Sequence, residues 1–206
     1  RRKYKGAYGM VAWHTFAKET DDFNISALAE WSWNTEGRSV REFSIAWATS
    51  QGIDNTELFA DWSEIVGELA FDVFDSDFPT AYSQEKVIEL IQERKRPYLG
   101  EGIFRYFESK KSFENKRINF SKAKILAAQL PSSYLLETDI IGTYIDLSES
   151  IWQIAEILAT NNLETENDQR EIVKWIEKLR VNGEKNIEAI RTWRISLGPE
   201  PWHNRV

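Results

Sequence analysis

Apolar residues recur every three or four positions over most of the chain after residue 37, a period that predicts α-helices packed by one face. Two long helices are predicted at the end of the chain. The apolar stripe of the first consists of Ile140, Tyr144, Leu147, Ile151, Ile154 and Leu158. The stripe of the second consists of Ile172, Ile176, Leu179, Ile190, Trp193 and Leu197, and it is weakened in the middle by Asn182, Gly183 and Asn186. About five residues separate the two helices, so they are predicted to form an antiparallel hairpin.

Two helix-start signals precede this hairpin. Ser39 followed by Glu42 fits a capping box, and the helix behind it is predicted to bury Val40, Phe43 and Trp47. Residues 54–57 repeat the signal and open a helix whose inner face is Leu58, Trp62, Ile65, Val66, Leu69 and Val73. Further helices are expected near residues 83–93 and over residues 121–130, with residues 96–117 irregular or in short helical pieces. This part of the chain is predicted to be a helical bundle.

The first 36 residues have a different pattern. Residues 6–13 end in an apolar run and predict a short buried strand, the only strand candidate in the chain. Residues 14–23 are predicted to be a loop. Asn24 is expected to cap a helix over residues 25–34 with Ile25, Leu28, Ala29 and either Trp31 or Trp33 on its inner face. The order indicates the last unit of a (β/α)8-type barrel.

The pattern therefore predicts a mainly α protein in two parts. Residues 1–36 are interpreted as the terminal strand and helix of a barrel whose larger part lies outside this sequence. Residues 37–206 are interpreted as an α-helical C-terminal domain, a bundle that ends in two long antiparallel helices. On this interpretation the chain begins inside a domain, and its function has to be argued as that of a fragment.

Composition and charge narrow the function classes. The chain has 206 residues, 42% of them hydrophobic, and a formal net charge of -7, which argues against nucleic-acid binding. Basic runs at residues 94–96 and 110–111 have acidic neighbours and are interpreted as solvated surface. There is no cysteine, which excludes disulfides and thiolate chemistry. No apolar run approaches the roughly 20 residues that span a bilayer, so no membrane span is predicted.

The sequence contains no recognisable catalytic set. Its two histidines, His14 and His203, lie at opposite ends of the chain, and a metal site on either would need carboxylates from elsewhere. Asp75 and Asp77 resemble an acid pair, but they precede Phe78 and Pro79 and are interpreted as a helix terminator. We expect no catalytic residue, no metal and no cofactor within this chain.

Trp13 is the best candidate for ligand contact. Side chains at the C-terminal ends of barrel strands face the active site, and Trp13 ends the predicted strand. An indole at that position stacks on the apolar face of a pyranose, or it simply plugs the top of the barrel. The helical tryptophans, namely Trp47, Trp62, Trp152, Trp175 and Trp193, are expected to pack in the core.

The segment from Trp13 through Glu19 to residues 27–33 resembles the end of the catalytic barrel in family 20 glycoside hydrolases, the β-N-acetylhexosaminidases. In that family the last strand ends in a pocket Trp, an acidic residue that holds sugar hydroxyls follows, and the next helix has an Ala-Leu-Ala-Glu core, here residues 27–30. Trp33 and Asn34 also resemble the family 84 N-acetylglucosaminidases. The tail over residues 193–203 is similar to the C-terminal helical regions of bacterial relatives.

The resemblance implies a substrate-binding set of Trp13, His14 and Glu19. The family places its acidic residue two positions after the Trp, where this chain has Thr15, and Glu19 lies six positions after it. The substrate's own acetamido group acts as nucleophile in these enzymes, assisted by an Asp-Glu pair that would precede Arg1. The implied partners are the upstream barrel and, through it, carbohydrate, and a secreted or periplasmic location is favoured.

Two other functions stay open from the residues alone. The chain is alternatively a free-standing α-helical protein-interaction module, or a non-catalytic domain that holds carbohydrate on exposed tryptophans. In each of the three interpretations the helical part is not catalytic by itself.

Overall fold

The computed structural model of the protein describes residues 18–33, 36–74, 81–101, 104–160, 163–196 and 198, without the side chains at 18–21, 33, 73–74 and 81–84. Seven α-helices and no β-strand are found in these residues. In chain order they are α1 (Lys18–Trp33), α2 (Val40–Ser50), α3 (Thr56–Phe74), α4 (Ala81–Gln92), α5 (Lys110–Ala127), α6 (Ser132–Thr160) and α7 (Glu166–Ser196). The prediction of a mainly helical bundle is confirmed. The strand predicted over residues 6–13 lies outside the described residues and stays a prediction.

The predicted helix starts are present. The amide of Glu42 donates to Oγ of Ser39 at 3.3 Å, and the amide of Ser39 donates to a carboxylate oxygen of Glu42 at 2.8 Å, which confirms the capping box of α2. The helix predicted from residues 54–57 is also present, but its cap is Asn55 rather than Asp54, and Oδ1 of Asn55 accepts from the amide of Leu58 at 3.1 Å. Each of these bonds satisfies an amide of the first helical turn that has no partner inside the helix.

The central helix of the bundle is α6, which packs against α3, α4, α5 and α7. Its contact with α7 is antiparallel, because residues later in α7 meet residues earlier in α6. Asn182 donates a hydrogen bond to Oγ of Ser150 at 3.0 Å, and Asn186 donates one to Oγ1 of Thr143 at 2.9 Å. The predicted C-terminal hairpin of two long helices is therefore confirmed.

Two apolar cores lie on different parts of α6. The larger core joins α2, α3, α5 and α6. Its fully or almost fully buried members include Ala48, Phe59, Trp62, Val66, Leu69, Ala123, Ala127, Ile141 and Ile145. The smaller core is built from the segment that precedes α5, the first turn of α5 and the second half of α6. Its buried members are Phe104, Phe107, Phe113, Ile151 and Trp152.

The first helix begins earlier than the sequence pattern predicts. The expected loop over residues 14–23 is wrong from Lys18 onward, because α1 runs from Lys18 to Trp33 and Asn24 lies inside it rather than at its cap. Glu19, Asp21 and Asp22 stand in the first turns, where negative charge is favoured by the helix dipole. The expected inner face is also wrong at Ile25, which is 39% exposed, and at Ala29, which is exposed as well.

Two apolar positions of other helices are exposed against expectation. Val40 is the first residue of α2 and is 56% exposed, since burial in that helix begins one turn later with Phe43. Ile176 is 51% exposed because the buried strip of α7 is narrow and follows Ile172, Leu179 and Asn186 at seven-residue spacing. An α-helix that packs against a single neighbour buries only such a strip.

The segment predicted to be irregular over residues 96–117 is helical in its last part. The helix α5 begins at Lys110, and the amide of Ser109 donates to Oγ of Ser112 at 3.1 Å at its start. Phe113 then enters the smaller core, where its ring stacks on Phe107 with the centroids 4.4 Å apart. None of the helices in the described part of the chain has both the length and the apolar composition needed to cross a membrane.

Candidate functional site

The structure leaves the predicted sugar-binding set untested. Trp13 and His14 lie outside the described residues. Glu19 is in the first turn of α1, but its side chain is outside the described part. The candidate acid pair of Asp75 and Asp77 and the second histidine, His203, also lie outside it. Two other places on the molecule gather aromatic and charged side chains, namely the α1 contact and a groove along α7.

The α1 contact is an aromatic cluster between α1 and the bundle. The ring of Phe23 lies 5.4 Å from Phe43, 5.1 Å from Trp47 and 5.6 Å from Phe59, measured between ring centroids, with near-perpendicular geometry to the last two. Edge-to-face pairs of this kind contribute about 0.5–1.5 kcal/mol each beyond the burial of their area. The first helix is therefore attached to the core of the helical bundle.

Polar groups strengthen the same contact at the end of α1. The indole of Trp31 donates to the carbonyl of Arg38 at 3.1 Å, and its ring lies 5.0 Å from that of Phe43. The guanidinium of Arg38 donates to both carboxylate oxygens of Glu30 at 2.9 Å. This forked hydrogen bond lowers the pKa of Glu30, because it stabilises the carboxylate form.

The second place is a groove of about 670 Å³ that lies over α6, with α5 on one side and α7 on the other. On the α5 side, Arg117 donates to Oδ1 of Asp146 at 2.8 Å and also to Glu149. Burial disfavours the charged form of Arg117, but the hydrogen bonds to Glu149 and Asp146 outweigh it and raise its pKa. Both carboxylates at this point of the groove are thus held by a single guanidinium.

The α7 side of the groove is lined by a tryptophan and cations. The ammonium of Lys178 lies 3.9 Å from the ring centroid of Trp175, within the range of a cation–π contact. Lys174 and Lys185 line the groove on the same side. Asn182 closes the floor with its hydrogen bond to Ser150 and a longer one to the carbonyl of Asp146 at 3.3 Å.

The groove continues along α7 into a second space of about 370 Å³, because Asp146 and Lys185 line both. Phe120 and Gly142 form part of its wall, and Lys124 is paired there with Asp139 at 2.6 Å. Asn186 lies nearby, hydrogen-bonded to Thr143. The two spaces are neighbours on the α5–α7 side of the bundle.

The side chains of this groove can form ion pairs and hydrogen bonds with a ligand. Its side chains are cations, amides and carboxylates, and the carboxylates of Asp146 and Glu149 are already held by Arg117. Within the described residues there is no group of three or more histidines or carboxylates that could hold a metal ion. No protein-family model, curated protein or solved structure matches this chain.

Sequence reasoning did not single out this groove. Arg117 lies at the end of a segment that the sequence predicts to be irregular, so nothing in the sequence places its side chain next to α6. One side of the groove could be found from the sequence. The spacing of four and seven residues between Lys174, Lys178 and Lys185 places these lysines on one face of a helix.

Proposed function

We propose that this chain is the C-terminal part of a hexosaminidase-like glycoside hydrolase, in which the helical bundle buttresses the catalytic barrel and is not catalytic alone. Residues 1–36 supply the last strand and helix of the barrel in this proposal, and residues 37–206 form the helical domain. The resemblance over residues 13–34 supports it. Trp13, with His14 and Glu19 beside it, would contact the sugar at the mouth of the barrel.

The observation that carries the proposal is the two-sided character of α1. Its Phe23 and Trp31 pack toward the bundle. Ile25 and Ala29, one helical turn apart on the other side, are exposed. A helix that follows the last strand of a barrel packs an apolar face against the barrel. Among the described residues, the bundle contacts one face of α1 and leaves Ile25 and Ala29 on the other face exposed.

The sequence of the gene upstream of Arg1 tests this proposal most directly. We expect an open frame with alternating strand and helix patterns and an Asp-Glu pair after a middle strand. A start codon directly before Arg1, or an upstream frame without that pattern, would overturn the proposal.

The longer gene product allows a second test by hydrolysis of 4-nitrophenyl N-acetyl-β-D-glucosaminide. We expect turnover by the longer protein and none by the 206-residue chain. Trp13→Ala should lower kcat/KM by about tenfold or more with little change in Tm, because an indole that stacks on the sugar is lost. The matched control is Trp175→Ala, far along the chain on α7, which should leave kcat/KM unchanged. A fall in Tm with unchanged kinetics at Trp13 would show that this residue only plugs the barrel.

One observation favours a second function, that of a free-standing protein-interaction module. The outer face of α7 exposes large apolar side chains, with Val173, Ile176, Ile187 and Ile195 between 51% and 72% exposed. Exposed apolar surface of this kind often marks an interaction site. A genuine start codon just before Arg1 would favour this function over the first.

A further inference from the structure

Three lysines of α7 stand in one row along the groove. Lys178 follows Lys174 by four residues and Lys185 follows Lys178 by seven, and all three line the groove beside Trp175. With a rise of about 1.5 Å per residue, the row extends roughly 16 Å along the helix axis. Their ammonium groups therefore form a line of positive charge rather than a single cluster.

These lysines have no carboxylate partner among the residues that the structure describes. Two of the acidic groups near them on α7 are engaged by arginines, whereas Glu171, three residues before Lys174, is exposed to solvent. Glu177 pairs with Arg180 at 2.6 Å, and Glu188 pairs with Arg191 at 2.9 Å.

The opposite wall has its carboxylates paired, with one negative charge in excess. Arg117 holds Asp146 and Glu149, and Lys124 holds Asp139. The lining of the groove of about 670 Å³ has four cationic side chains and three carboxylates, so it has a surplus of one positive charge, on the α7 side, in a chain whose formal net charge is -7. Uncompensated charge in a concave surface attracts ligands of the opposite sign.

We propose that this groove binds an acidic peptide segment, with its carboxylates on Lys174, Lys178 and Lys185 and its apolar side chains on Trp175. A single small anion reaches only part of a row of this length. A peptide helix that lies along α7 repeats its side chains at the same spacing, so Glu at positions i, i+4 and i+11 matches the row. The proposal is independent of the hydrolase assignment, because it concerns the face of the bundle formed by α5, α6 and α7.

Fluorescence anisotropy with a labelled peptide tests the proposal. The peptide carries Glu at i, i+4 and i+11 of an alanine-rich helix, and the reference peptide carries Gln at the same positions. We expect saturable binding of the Glu peptide to the 206-residue chain and weakening as salt rises through about 0.15 M. Lys174→Gln combined with Lys185→Gln should weaken binding about tenfold.

The control pair is Lys111→Gln combined with Lys122→Gln, which removes the same charge from exposed positions of α5. It should change the affinity less than twofold. All four lysines are exposed, so both double variants should keep the circular dichroism and Tm of the parent chain.

Three results would overturn the proposal. The first is the absence of saturable binding by the Glu peptide. The second is equal weakening by both double variants, which would mean general attraction to basic side chains. The third is saturable binding of oligogalacturonate in this groove with no binding of the peptide, which would identify the groove as a site for acidic glycans.

Discussion

The indole Nε1 of Trp62 donates a hydrogen bond of 2.9 Å to Oγ1 of Thr138 and so joins α3 to α6 inside the larger core. The hydroxyl of Thr138 donates in turn to the carbonyl of Tyr134 at 2.7 Å. Its oxygen is therefore oriented to accept from the indole. Trp62 is 5% exposed and Thr138 is fully buried, so water cannot take the place of either partner.

Thr138→Val should destabilise the protein by about 1–3 kcal/mol. The substitution keeps the shape of the side chain but leaves the buried indole N–H without an acceptor, which costs its full desolvation. The free energy of unfolding in urea measures the effect. Thr160→Val at the exposed end of α6 is the matched control and should change it by less than about 0.5 kcal/mol. Equal losses in the two variants would contradict the assigned bond.

Local signals in the sequence are sufficient to predict where several of the helices begin or end. The capping box of Ser39 and Glu42 involves residues three apart, and the hairpin of α6 and α7 follows from two stripes and a short connection. The start of α1 at Lys18 was not predicted, because Asn24 is an equally good cap when it is read alone. Its aromatic neighbours on α2 and α3 become adjacent to Phe23 only in the folded chain.

The groove also combines features that the local sequence predicts with contacts between residues far apart in the chain. The row of lysines on α7 follows from helical spacing and could be found in the sequence. The ion pair between Arg117 and Asp146 joins residues 29 positions apart, and no periodicity specifies it. In the sequence, Asn182 and Asn186 interrupt an apolar stripe. In the structure, both side chains donate hydrogen bonds to α6.

Gly142→Ala should destabilise the bundle by about 1–3 kcal/mol through overpacking. A Cβ at Gly142 would lie within 2.4 Å of the ring of Phe120, so α5 and α6 would have to move apart or the ring would have to rotate. Thermal or urea unfolding measures the change. Combining it with Phe120→Leu should recover part of the loss, since the clash is with the aromatic ring.

Gly183→Ala is the control for this prediction. Gly183 lies inside α7, and an added Cβ there meets no atom within 4 Å. Alanine has the higher helix propensity, so stability should rise by up to about 1 kcal/mol. A similar loss in both glycine variants would contradict the close approach of Phe120 to α6.

The contact between Glu30 and Arg38 should make the attachment of α1 depend on pH. Its hydrogen bonds lower the pKa of Glu30 in the folded protein below the ordinary value of about 4.3. A carboxyl group of this kind stabilises the fold above its unfolded pKa, and the stabilisation is lost as pH falls through the lowered value. The difference in unfolding free energy between the parent chain and Glu30→Gln should be constant from pH 7 to about 5 and shrink below about 4.

Urea unfolding at several pH values measures this difference. Glu114→Gln on the exposed side of α5 is the control, and its difference from the parent chain should stay small throughout. If the effect of Glu30→Gln were the same at pH 3 as at pH 7, the ion pair with Arg38 would not stabilise the α1 contact.

Asn186 and Thr143 form one hydrogen bond, but substituting one or the other should change the free energy of unfolding by different amounts. Asn186 is 7% exposed, and its amide depends on Oγ1 of Thr143 as acceptor. Thr143→Val removes that acceptor and should cost about 1–3 kcal/mol.

Asn186→Leu should cost little or even stabilise the hairpin. Thr143 keeps its own bond to the carbonyl of Ile140 at 2.7 Å, and Leu continues the strip of Ile172 and Leu179. Asn186 also hydrogen-bonds Tyr144, which is half-buried. A buried Asn in a paired helix typically fixes the register at some cost in stability. We therefore expect Asn186→Leu to keep the free energy of unfolding within about 1 kcal/mol while NMR signals of the α6–α7 hairpin broaden or double. A loss as large as that of Thr143→Val, with sharp single signals, would assign Asn186 to stability rather than to register.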